Sequence, residues 1–171
     1  TEVRRQRQMC IRDRSTGDLY SKRFKNIENL TLVLNSRAEW RKYTIDGHKK
    51  YVEYQEQLRK NLGPKSPAIY NGMAWEIYQR IRLGLSKDKK SDIKKLVEYS
   101  KADVAAYKDA SAYALRALVE FRYGSKDCEK TKSFVKKAID AGGSVDTFSI
   151  AGSIYKSCLL YTSDAADEPL C

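Results

Sequence analysis

The sequence predicts an all-α fold of stacked antiparallel helical hairpins, a solenoid or superhelix fragment, and three observations lead there. Apolar residues recur at helical spacing through most of the chain. Gly, Ser and Asp punctuate those runs where helices would stop and start. A "GLSKD" at Gly84–Asp88 returns as "GSKD" at Gly124–Asp127, and Ser86 and Ser125 lie 39 residues apart, a period typical of helical solenoids.

The first part of the chain is the least patterned. Phe24, Ile27, Thr31 and Leu34 fit one helical face, although "LTLVLN" (Leu30–Asn35) also alternates as a strand would; helix is the favoured reading. "HKKYVEYQEQLRKNL" (His48–Leu62) predicts a helix with Tyr51, Tyr54 and Leu58 on one face. From Gly63 onward the signals sharpen. Ser66 suits an N-cap, and Pro67 then sits at the first helical position, where its missing N–H costs nothing. Tyr70, Met73, Ala74, Ile77 and Ile81 give that helix its stripe, and Gly84 ends it.

The next helix is predicted to start at a Ser91 cap, with Ile93, Leu96, Val97 and Val104 inward. A third spans about Asp109 to Tyr123, with Ala114, Ala117, Leu118 and Phe121 on one face and Gly124 as its stop. A fourth begins at Asp127, carries Cys128, Thr131, Phe134, Val135, Ala138 and Ala141 on its stripe, and ends at Gly142-Gly143. A fifth follows Ser144, with Val145, Phe148, Ala151, Gly152 and Tyr155 predicted to face inward.

The two ends of the chain read differently. One permitted set of codons for Cys158–Cys171 has a complementary strand that, in another frame, encodes Thr1 to Asp13 in order. The shared DNA resembles the transposase mosaic-end adapter of sequencing libraries. Residues 1–14 and 158–171 are therefore expected to be adapter-derived, disordered, non-native tails, to be set aside in fold reasoning. Residues 15–157 are expected to be the helical repeat domain, a piece of a longer protein, clearest over 66–157. On this reading Arg4, Arg5, Arg7 and Arg12 say nothing about nucleic acid, and Cys10, Cys158 and Cys171 say nothing about disulfides. Cys128 then stands alone, so neither a disulfide framework nor a cysteine zinc site is expected. That leaves the compartment open, leaning towards a reducing cytoplasm.

The net charge of +11 survives the removal of both ends. It is spread along the chain, +5 over residues 15–65, +3 over 66–105 and +3 over 106–157. Such a spread describes a solvated helical surface better than a nucleic-acid face, which clusters its bases. No apolar run approaches the roughly 20 residues of a membrane span.

The segment "DCEKTKSFVKKAIDAGG" (Asp127–Gly143) resembles the second helix of a Sel1-like repeat, a relative of the tetratricopeptide repeat. Asp127, Glu129, Lys130, Phe134, Lys137, Ala138 and Gly142 fall on that family's places, with Thr131 where an Ala is usual. Gly152 and Tyr155 match its Leu-Gly-x-x-Tyr step, with Ala151 for the Leu. The preceding repeat aligns Asp92, Lys95 and Tyr99, but has a loop longer by about four residues and no closing Gly. The resemblance implies an adaptor that binds another protein or peptide in the groove of a superhelix. The first helices of each hairpin would line the concave side, with Glu76, Arg80, Tyr113, Arg116 and Glu120 as groove residues.

Catalytic chemistry finds little footing. His48, the single histidine, sits in "DGHKK", which reads as a solvated helix start without the partners a general base needs. Cys128 at a helix start could carry a lowered pKa, but a buried apolar role is the expected one. Neither a phosphate-cradling G-x-x-x-x-G-K nor a G-x-S-x-G occurs. No catalytic residue, metal ligand or cofactor is expected. The alternative function is a basic helical RNA-binding module, with Tyr51 and Tyr54 among Lys49, Lys50, Arg59 and Lys60 as its patch. Phosphate contacts of that kind would weaken steeply with salt.

Overall fold

The computed structural model describes Tyr20, residues 23–125 and residues 127–166, with side chains as far as Cys158. Among the described residues there are seven α-helices and no strand: α1 Ile27–Trp40, α2 Ile45–Leu62, α3 Tyr70–Arg82, α4 Lys89–Tyr107, α5 Ala110–Tyr123, α6 Cys128–Asp140 and α7 Val145–Ala166. A 3-10 turn, Pro67–Ile69, leads into α3. The fold is all-α, and the ambiguous Leu30–Asn35 stretch lies inside α1. Residues 1–14 fall outside the described residues.

Most helix starts are written locally. Asn26, Thr44, Asp88, Asp109 and Asp127 each cap a helix through a side-chain oxygen that accepts a backbone N–H. Each such cap contributes about 1 kcal/mol. The expected Ser91 cap is displaced: Asp88 is the cap and Ser91 N–H its donor, at 3.0 Å. Ser66 takes the cap position before Pro67 but makes no side-chain bond there. Helix ends diverge more. Gly84 (φ 71°) and Gly142 (φ 85°) turn the chain through left-handed conformations beyond α3 and α6. At the end of α4 that position falls to Lys108, at φ 47°.

Helices α1–α2, α3–α4 and α5–α6 form hairpins that stack in chain order, and α7 closes on α5 and α6. The central core joins Trp40 of α1, Tyr51 of α2, Trp75 and Tyr78 of α3, Leu96 of α4 and Leu115 and Val119 of α5. Small residues set the spacing. Ala110, Ala112, Ala114 and Ala117 of α5 are all buried, which lets its neighbours approach closely. Between the first two hairpins, the Tyr51 hydroxyl donates to the Gly72 carbonyl at 2.9 Å. A Cβ at position 72 would meet the end of the Gln55 side chain, which would have to move aside.

A polar lock ties the start of the described chain to the middle of the stack. The Arg23 guanidinium, fully buried, donates to Asp103 Oδ1 at 2.7 Å and to both oxygens of Asp109, each at 2.7 Å. It also lies 4.3 Å from the Tyr107 ring centre. Asn71 donates to the other Asp103 oxygen at 2.7 Å. Burial pushes the Asp103 carboxyl above its usual range, despite the Arg23 charge beside it.

Two expectations are corrected near the C-terminal end. Helix α7 itself runs to Ala166, since "CLLYTSDAA" contains good helix formers and neither Gly nor Pro. Its buried face is Thr147, Ala151, Ile154 and Cys158, so Val145 (52% exposed), Phe148 (53%) and Tyr155 (38%) point outward instead of in. Thr147 takes the inward place because its hydroxyl accepts the buried Ser144 N–H at 3.2 Å. Cys128 is not alone: it forms a disulfide with Cys158, Cα to Cα 5.9 Å. Cys158 stands a helical repeat beyond Ala151 and Ile154 on the face of α7 that packs against Val135 of α6 and Ala117 of α5. That face brings it to the start of α6.

Candidate peptide-binding cavity

The five groove residues read from the sequence separate into two ion-pair clusters and one bystander. On α3, Glu76 accepts from Arg59 at 3.1 Å and from Arg80 at 3.4 Å. Arg80 clamps Asp92 of α4 through Nε and Nη2, at 3.1 and 2.7 Å, and Ser86 donates to Asp92 at 2.7 Å. The bonds from Arg80 hold the Asp92 carboxyl below its usual range. On α5, Arg116 pairs with Glu120, and Glu120 also accepts from Lys130 of α6 at 2.8 Å and from the Ser125 hydroxyl at 2.9 Å. Burial acts to raise the Glu120 carboxyl, but Lys130, Ser125 and Arg116 outweigh it and hold the pKa at about 2. Arg116 and Glu120 are buried, and Tyr113 is half-buried. These charges join helices to each other and to their loops.

Open space lies elsewhere, in a hollow of about 550 Å³ beside Arg59, Tyr70, Met73 and Tyr99 and in a second, narrower one. A cavity of about 340 Å³ is framed by the four first helices, α1, α3, α5 and α7. Its floor is aromatic. Trp40 of α1 meets Trp75 of α3 edge to face, with ring centres 4.8 Å apart, and Tyr43 lies 5.0 Å from Trp40. Tyr78 continues the series, perpendicular to Trp75 at 5.6 Å. Leu118 and Ile150 add apolar wall from α5 and α7. Three arginines and one aspartate line the space: Arg37, Arg82, Arg122 and Asp146. Arg82 lies 5.2 Å from the Tyr43 ring, and Arg37 lies 5.6 Å from both indoles.

Asp146 is held by two arginines through one oxygen. Its Oδ2 accepts from Arg37 Nη2 at 2.7 Å and from Arg41 Nη2 at 2.8 Å, a clasp that joins α1 to the start of α7. Burial opposes its charge, yet the two guanidiniums win and keep its carboxyl below the usual range. Four nitrogens of the lining residues, each turned away from the open space, are not engaged. Arg37 Nε and Nη1, Trp40 Nε1 and Trp75 Nε1 are buried and have no hydrogen-bond partner among the described residues. No other described residue has a buried side-chain nitrogen or oxygen in that condition.

His48 holds this wall in place from behind. It is buried, not solvated as the sequence suggested, because the pitch of α2 turns it towards α3. Gln79 Nε2 donates to the Trp40 carbonyl at 2.8 Å, which leaves Gln79 Oε1 to accept from His48 Nδ1 at 3.0 Å. The histidine thereby fixes the end of α1 that carries Trp40. Tyr51 of the alternative patch is also buried, so it cannot stack on a nucleobase; Tyr54 is half-buried, Lys49, Lys50 and Lys60 are exposed, and Arg59 is paired with Glu76.

Among the described residues no cluster of His, Cys, Asp and Glu could hold a metal ion, and no helix is long and apolar enough to cross a membrane. Comparison with known proteins finds no matching family model, no matching curated protein and no matching solved structure. The class of protein is thus set by the fold alone: an all-α stack of helical hairpins with an aromatic, arginine-bearing cavity between its first helices.

Proposed function

We propose that the chain is a non-catalytic helical-repeat scaffold that holds a segment of another protein, or a peptide, between its first helices. The observation that carries this reading is the cavity itself. Four helices far apart in sequence converge on one aromatic-walled space, with the exposed Arg82 and Arg122 among its lining residues. The resemblance of Asp127–Gly143 to Sel1-like repeats points the same way. The RNA-binding reading keeps its charge but has lost Tyr51 to the core.

The test is a selection of displayed random dodecapeptides on the immobilised full chain, followed by binding to a Ser149→Trp variant. Ser149 is exposed on α7 and lines the cavity, so a bulky ring there should block entry without touching the core. The expected outcome is a family of enriched peptides that lose at least tenfold in affinity on S149W. Enriched peptides that bind the variant unchanged, or no enrichment at all, would sink the reading.

A further inference from the structure

We infer that two copies of this chain pair through their α7 helices, antiparallel, along a stripe of Val145, Phe148, Gly152 and Tyr155. The inference goes beyond the scaffold reading and does not depend on it. The three earlier first helices each lie against the helix that follows, α1 on α2, α3 on α4 and α5 on α6, whereas no helix follows α7 among the described residues. The buried face of α7 meets α5 and α6. Ser149, Ile150 and Ser153 line the cavity. Val145, Phe148, Gly152 and Tyr155 belong to neither surface and are exposed.

Their spacing is that of a helix seam. Steps of three, four and three residues are the a and d positions of a heptad, the pattern that packs one helix along another. What selects a second copy is the order of sizes. The stripe is symmetric about position 150. An antiparallel pair centred there sets Phe148 over Gly152 of the other copy, twice, and Val145 beside Tyr155, twice. Each wide side chain then meets a narrower one. Gly152 supplies the gap, since a Cβ placed there meets nothing within 4 Å. A parallel pair would crowd Phe148 against Phe148 and leave Gly152 against Gly152, an empty layer. Close packing disfavours both.

Charge permits the approach. The chain carries a net +11, so most of its surface repels its own copy. Thr147–Tyr155 contains no charged residue. In the antiparallel pair Lys156 falls opposite position 144 of the second copy, four residues beyond the exposed Asp140. Four residues a side make a small interface, of the kind that forms and dissociates.

Sedimentation velocity of the full chain across about 1–300 µM, a range in which a small interface dissociates, reads the pairing. The expected result is a monomer at the dilute end and a dimer at the concentrated end. Phe148→Glu, at an exposed site, should keep the thermal melt and weaken the dimer at least tenfold. Gly152→Leu should raise the melt of the dilute monomer, because glycine inside a helix is costly, and still weaken the dimer at least tenfold by filling the gap. Cross-linking reads the orientation. In a Cys10→Ser, Cys171→Ser background, chains carrying Phe148→Cys and chains carrying Gly152→Cys are oxidised separately and mixed; the mixture should cross-link several-fold more than either alone. A chain that stays monomeric throughout overturns the inference and leaves the stripe to a helix of another protein. A dimer that F148E and G152L leave intact overturns it too, and stronger cross-linking of either variant alone would overturn the antiparallel pairing.

Discussion

The α3–α4 and α5–α6 hairpins carry the same serine turn and solve its electrostatics in different ways. In the first, Ser86 donates to Asp92, which Arg80 clamps from the preceding helix; the Arg80 side chain is 29% exposed. In the second, Ser125 donates to Glu120, which sits on the helix before the turn and is 3% exposed beside Arg116 at 7%. The first cluster leans on water and the second has replaced it. The lesson is that a repeated sequence word conserves the turn and not the energy stored around it. The helix ends differ too: Gly142 follows α6 at φ 85°, while Lys108 holds the left-handed position after α4.

The largest expected effect follows from the enclosed pair. Glu120→Gln leaves the Arg116 charge buried without its counter-charge and should cost about 3 kcal/mol. Asp92→Asn should cost only about 1 kcal/mol, because its arginine can turn to solvent. Urea denaturation of the two variants measures the gap, and equal losses would erase the contrast between the hairpins. Acid should reveal it as well. The folded pKa of Glu120 is depressed to about 2, so its contribution is complete above the ordinary value of 4.5 and is lost as pH falls between the two. Stability followed from pH 6 to pH 2.5 should fall less steeply in E120Q than in the unsubstituted chain; parallel curves would place the acid sensitivity elsewhere. The smallest effects come from the helix ends. Lys108→Gly should add about 0.5 kcal/mol by relieving left-handed strain, and Gly142→Ala should remove about 1 kcal/mol, although space there is open. A thermal melt of each settles the signs, and two shifts in the same direction would break the argument.

What the sequence disclosed about this fold was local. Asp109 and Asp127 announce their helices because a cap needs only its own next three residues. The internal repeat showed which helices pair. The facing of α7 was not legible: Val145, Phe148 and Tyr155 are the more apolar set, but the buried set of Thr147, Ala151, Ile154 and Cys158 is chosen by a hydroxyl cap and by neighbours on α5 and α6. The cavity was less legible still, since its parts come from four helices and a loop. One signal was present. In α1, Val33, Arg37 and Trp40 share a helical face, and an arginine among buried residues is out of place unless something distant answers it. The answer, Asp146, is 109 residues away.

That answer changes the topology of cooperation. A stack of hairpins is a line of units, each coupled to the next, and a line comes apart from its ends inward. The Arg37–Asp146–Arg41 clasp joins the first and last of the described helices and turns the line into a loop. Losing the start of α7 then requires unlatching α1, and the reverse. The side chain that makes the latch also lines the cavity, so whatever pulls on Arg37 is felt at α1 and α7 at once.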